Sequence, residues 1–166
     1  VFDGPEDRNG RRNHDEIRLW ADYLTPGEAD YLGGGLKDGA RFVIAGDQNA
    51  DPTRGDSVAA AINQLLDHPK VAGDFVPIRT GEVTPANRTD TATFRLRVDY
   101  VLPSKSGFAI EGGAVFWPTG NQDGANLVTV SDHRPVYLDL TLVPLIDEVV
   151  NELTVNREGE GFRITW

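Results

Sequence analysis

The chain contains no cysteine, which excludes disulfides, zinc-thiolate centres and a thiol nucleophile at once. It contains no methionine either, and a chain without Met at position 1 is expected to begin downstream of a translation start. Long apolar runs are also missing. No stretch approaches the roughly 18 residues of a membrane span, and the N-terminus carries no signal-peptide pattern. Positive charge is scarce: 16 Lys and Arg stand against 26 Asp and Glu, for a net charge of −10. That argues against a protein that grips nucleic acid through a general basic surface, although metal ions could supply positive charge locally. No Gly-x-Ser-x-Gly elbow occurs, which speaks against a Ser/His/Asp hydrolase. What remains is one domain's length, 166 residues, enough to bury a real core.

Among what is present, the most informative stretch runs from Arg41 to Pro52. Phe42, Val43, Ile44 and Ala45 form a short apolar run ended by Gly46, the pattern of a buried strand breaking into a loop. Asp47 and Asn49 follow, and Pro52 and Gly55 block a direct continuation. Polar groups at the end of a buried strand are held rigidly at a cleft, where open α/β sheets place their chemistry. An ordinary polar turn is the plain alternative. Asp47, Asn49 and Asp51 also alternate as in a calcium loop, but Pro52 stands where that loop needs Gly and Val58 where it needs a bidentate Glu, so this reading is rejected.

Two later stretches change the balance. Arg97-Val-Asp99-Tyr100 lies in a strand-like run, and Ser131-Asp132-His133 opens another. Gly-Asp-x-Asn, Arg-x-Asp-Tyr and Ser-Asp-His in that order resemble the endonuclease/exonuclease/phosphatase superfamily, the metal-dependent phosphoesterases related to DNase I. The resemblance covers about residues 10–143 and only the C-terminal half of the family's pattern. It implies an α/β fold, the C-terminal half of a four-layer α/β/β/α sandwich of DNase I type, with a mostly antiparallel sheet and helices on one face.

The resemblance also implies roles. Asp132 and Asp47 would be ligands of Mg²⁺, or of Mn²⁺ or Ca²⁺. His133 would face the phosphate, with Asp99 fixing its tautomer. Asp47 would position or deprotonate the attacking water, and Asn49 would contact a phosphate oxygen where charge builds up. Arg97 and Tyr100 are expected as structural supports. The family's N-terminal half supplies a Glu metal ligand, an Asn and a His that no residue here matches, so the missing half is an expected partner and the chain by itself an expected poor catalyst. The substrate is a phosphate ester: nucleic acid, lipid head group or small ester. The acidic balance favours a small or lipid-derived ester. Resemblance to exported, multi-module members implies a secreted or cell-surface bacterial protein. The rivals are a catalytically inactive binding relative and a structural α/β module.

Read along the chain, residues 1–12 are turn-rich, with Arg8, Arg11 and Arg12 as a solvated cluster or, alternatively, a phosphate-facing loop beside the site, and Asn13 with Glu16 predicts a capped helix start. Ile17, Trp20, Ala21 and Leu24 share its apolar face, and Pro26-Gly27 ends it. Asp56 or Ser57 is expected to cap a second helix closed by His68-Pro69, with His68 as a C-terminal dipole partner. Residues 70–93 form a long functional or mobile connection. Strands are predicted over 94–102, 108–117 and 136–142. Residues 1–143 make the phosphoesterase portion, and 144–166 a linker and strand pair that begins a further β module or docks on the first.

Overall fold

The computed structural model describes residues 4–58, 61–144, 154–158 and 161–165. Helix α1 (Arg8–Leu24) starts earlier than Asn13 and Glu16 predict. Asp7 takes the capping role, its carboxylate accepting the Gly10 N–H at 3.2 Å, as short acidic side chains do at helix starts. A Cβ at position 10 would come within 2.5 Å of that carboxylate, so Gly10 admits the cap rather than breaking the helix. Asn13 is spent elsewhere: its side-chain amide donates to the Gln48 carbonyl at 2.9 Å and ties α1 to the loop after the first strand. Arg8 and Arg12 pair with Glu6 and Glu16 on the exposed side. Ile17 and Leu24 are buried, whereas Trp20 faces outward and is 42% exposed, against its expected place on the apolar face. Thr25 caps the C-terminus, just before Pro26-Gly27 as predicted.

The second helix is shorter than its apolar spacing suggests. Helix α2 spans only Asn63–Leu66, and residues 52–57 are bends, so neither Asp56 nor Ser57 caps it. The Asp51 carboxylate causes this by taking the N–H groups of Thr53 and Arg54 at 2.9 and 2.8 Å, which curls the chain locally instead of releasing it into a helix. Positions 59 and 60 of the expected helix lie outside the described residues. His68 is buried and does not serve as a charged dipole partner. Its Nδ1 accepts the Lys70 N–H and its Nε2 lies 3.2 Å from the Thr25 hydroxyl. Burial first, then the charges of Lys70 and Lys105, pushes its pKa below the ordinary value, so it is a neutral staple between helix ends.

Strand β1 (Val43–Asp47) pairs antiparallel with β3 (Asp99–Pro103). Strand β4 (Phe108–Val115) pairs antiparallel with β5 (Val136–Leu142) and parallel with the short β2 (Ile78–Arg79). Among the described residues these are two hydrogen-bonded groups rather than one continuous sheet. Ile44, Tyr100 and Leu102 cluster with Ile17, Leu24, Ile62 and Leu65, placing both helices on one face of the β1–β3 pair. The architecture is α/β of the DNase I-like kind: mixed, mostly antiparallel and with few helices. No described helix is long and apolar enough to cross a membrane.

Strand β5 shows the alternation its sequence predicts, and β4 carries a bulge between Ile110 and Gly112. Strand β3 begins five residues later than expected, because Phe94 and Arg95 form a tight turn with Arg95 at φ 70°. The connection over 70–93 is pinned rather than loose. Val71 bridges Ser104, β2 joins the sheet, and Asp90, Thr91 and Ala92 are buried. In the tail, β6 (Thr154–Glu158) and β7 (Gly161–Thr165) form the predicted antiparallel pair. Most of the expected linker, residues 145–153, and Trp166 lie outside the described residues.

Candidate active site

The β1–β3 register sets the site. It runs from Val43 opposite Pro103 to Asp47 opposite Asp99, so two carboxylates face each other at one end of the pair. Partners in an antiparallel ladder share a face. Ile44 and Tyr100 face the helices, and Asp47 and Asp99 therefore point to the other side. Gly46 prepares this end with φ 143°, a conformation that a residue with a Cβ adopts only under strain. Asp47 then accepts the Asn49 N–H at 2.7 Å, and Asn49 holds φ 48°, which Asn tolerates in such turns.

His133 arrives from the third segment. Its Nδ1 lies 2.9 and 3.1 Å from the two oxygens of Asp99. One ligating atom from each of Asp47, Asp99 and His133 lies within 4.8 Å of the others. With Nδ1 engaged by a carboxylate, Nε2 is the nitrogen left to meet a substrate. Burial alone would lower the pKa of His133, but the Asp99 hydrogen bond and the charges of Asp99, Asp47 and Asp132 outweigh it and raise the value. Phe94 meets the imidazole edge to face, with ring centres 5.5 Å apart.

Asp132 stands apart from this group. It is exposed, and its carboxylate is not among the mutually close ligating atoms found in the described residues. It is positioned by its backbone, whose carbonyl accepts the Thr93 N–H at 2.8 Å. Asn49 is exposed beside Asp47. Arg97 and Tyr100 lie behind the site and are buried. The Arg97 guanidinium sits 4.6 Å from the Tyr100 ring centre, and the Tyr100 hydroxyl donates at 2.8 Å toward the carbonyls of Ala50 and Arg97. Burial pushes the Tyr100 hydroxyl's pKa far up, which leaves it a donor and not a proton shuttle.

Two carboxylates and an imidazole in reach of one point are a donor set suited to a hard or borderline divalent cation. The endonuclease/exonuclease/phosphatase family model matches residues 6–133. The chain belongs to this family. No curated protein and no solved structure matches it. Members of the endonuclease/exonuclease/phosphatase family are generally hydrolases of phosphate esters, typically dependent on divalent metal.

The fold brings in residues that single motifs do not mark. Thr91 is buried, and its hydroxyl accepts the N–H groups of Val98 and Asp99 at 2.9 and 3.0 Å. Its carbonyl accepts the Arg134 N–H at 2.8 Å, and the adjacent Ala92 bridges His133. One threonine thus locks the Asp99 strand to the His133 segment. Arg134 braces that segment from within, donating to the carbonyls of Ser131 and His133 at 2.6 and 2.8 Å. Its guanidinium lies 4.6 Å from the Trp117 ring centre, and that of Arg79 lies 3.7 Å from the same ring. Thr91 lies in a loop-like stretch with no repeating pattern, so only the pairing of 91–93 with 132–134 exposes its part.

Proposed function

We propose that the chain hydrolyses phosphate esters at the Asp47–Asp99–His133 cluster with the help of a divalent metal ion. The observation that carries this reading is the opposition of Asp47 and Asp99 at a strand end with His133 2.9 Å from Asp99. Asp47 would hold the cation, with Asp132 contributing negative field at the rim. Such an ion polarises a phosphoryl oxygen and lowers the pKa of water. Asp99 fixes the tautomer of His133, whose Nε2 donates to or exchanges a proton with the phosphoryl group. Asn49 offers its amide where charge builds on the phosphoryl oxygens. Asp47 orients the attacking water, which displaces the alcohol at phosphorus. Mg²⁺ suits carboxylate oxygens, and Mn²⁺ takes the same oxygen ligands.

Exposed apolar side chains on the strands support a second part of this reading. Val43 and Leu142 are 43% and 67% exposed, and we read them as the face on which another portion of the family's sandwich would pack. The test is hydrolysis of bis-(p-nitrophenyl) phosphate and p-nitrophenyl phosphate with Mg²⁺ or Mn²⁺ and with EDTA, beside titration of Mn²⁺ binding. Metal-dependent turnover should fall about 10²–10⁴-fold in His133→Ala, and Asp47→Asn should weaken Mn²⁺ binding. Absence of both turnover and metal binding would overturn the proposal.

A further inference from the structure

Beside the cluster lies a second feature that the hydrolytic reading leaves unused. A cavity of about 450 Å³ is walled by Phe116, Leu127, Val128, Val130 and Pro135, with His133 at one edge. Its volume lies in the range of small-molecule sites, about 300–1,000 Å³. The walls are almost wholly apolar, and two of them are strikingly uncovered for their type: Leu127 is 55% exposed and Val130 81%. Phe94, 46% exposed, meets the imidazole edge to face. His133 thus belongs both to the carboxylate cluster and to the lining of an apolar recess.

From this placement we infer that the recess is a subsite for an apolar alkyl or aryl group esterified to the phosphate. The inference rests on the phosphoesterase reading for the position of the phosphate. A group esterified to a phosphoryl held at His133 has beside it an apolar recess that His133 itself lines. Charge points the same way. A polyanion would need Lys and Arg along its path, whereas the chain carries a net charge of −10. Arg134, which lines the recess together with Ser131, is buried, with its Nη1 donating to the carbonyls of Ser131 and His133. Burying an apolar substituent needs no such cation and gains affinity in proportion to the area covered.

The test is a binding series that does not depend on turnover. Ethyl-, butyl-, hexyl- and benzylphosphonate, which cannot be hydrolysed, are titrated calorimetrically into the intact chain in Mg²⁺ buffer. Affinity is expected to rise about threefold to fourfold per methylene until the recess is full. The rise should vanish in Val130→Asp and in Leu127→Asp, whose side chains are exposed enough for the fold to tolerate the change. It should persist in Leu142→Asp, an exposed apolar site on β5 away from the recess. Comparison of hexyl with benzyl separates an alkyl from an aryl preference. Equal affinity along the series, no binding of any member, or a rise that survives Val130→Asp would overturn the proposal. A rise that disappears in Val130→Asp, in a chain that neither hydrolyses an ester nor binds Mn²⁺, would support the subsite while refuting the phosphoesterase reading.

Discussion

Replacing Asp51 by Asn is the sharpest test of how the site is held. Asp51 is buried and joins the loop after β1 to the approach of β3. Its Oδ1 accepts the Thr53 and Arg54 N–H groups at 2.9 and 2.8 Å and the Thr53 hydroxyl at 3.2 Å. Its Oδ2 accepts the Arg97 N–H at 2.8 Å and Arg54 Nη2 at 3.0 Å. Burial would raise its pKa, but the Arg97 and Thr53 amides and the Arg54 charge outweigh that and lower it. In Asp51→Asn with the amide oxygen kept at the Oδ1 place, an NH₂ group faces two donors. The buried Arg97 N–H then loses its acceptor, at a cost of about 1–3 kcal/mol. The lost Arg54 contact adds only about 0–1 kcal/mol, since that side chain is 36% exposed and keeps Asp90 at 2.9 Å. Flipping the amide would strand the Thr53 and Arg54 amides instead, so it offers no escape. The expected loss is about 1–4 kcal/mol, read as a lower urea midpoint at unchanged slope. A loss below about 0.5 kcal/mol would refute the assignment of Asp51 as the organising acceptor.

Two further predictions concern groups away from the reacting atoms. Thr91→Val keeps the shape but strands the Val98 and Asp99 N–H groups, and it should cost about 2–4 kcal/mol; any turnover should fall with it, and Thr91→Ser should restore both, whereas an unaffected urea midpoint would sink the claim. His68 has its pKa lowered in the fold, so its contribution to stability is complete above the unfolded value near 6.5 and is lost as pH falls toward the folded value. Thermal unfolding followed from pH 8 to pH 5 should therefore show a smaller acid loss in His68→Gln than in the parent chain, with Lys70 and Lys105 as the neighbouring charges; equal slopes would contradict the neutral-staple assignment.

The parts of the molecule that were legible in the sequence are those fixed by local chemistry. Alternation in Val136–Leu142 needs only a half-buried face, and the strand is there. The Gly46-Asp47, Asp99-Tyr100 and Asp132-His133 pairs stand out through the family resemblance, and of their members the fold brings Asp47, Asp99 and His133 together. The failures have long-range causes. Asn13 has the right neighbour for a cap, but its amide is claimed by Gln48 and Asp7 starts the helix instead. Asp51 serves Arg97, which lies 46 positions further along, and no local pattern announces such a bond. The turn at Arg95 holds a positive φ without glycine, so nothing in composition marks where β3 begins.

The same distinction explains why Asp99 and Asp132, equally plausible as carboxylates in sequence, part company in space. Asp132 adjoins His133 in the chain, but it sits at a bend, exposed and outside the mutually close group. Asp99 lies far from His133 in the chain, yet β3 pairs with β1 in a register that carries Asp99 to Asp47, while the Ala92–His133 bridge carries the imidazole to Asp99. Two independent pairings must agree for the three groups to meet, and Thr91 joins them through its hydroxyl and carbonyl. A slip of one residue in either pairing would turn a carboxylate or the imidazole to the opposite face. Precision at the cluster is therefore a property of backbone register, and the motif residues do their work only because buried groups such as Thr91 and Asp51 hold that register in place.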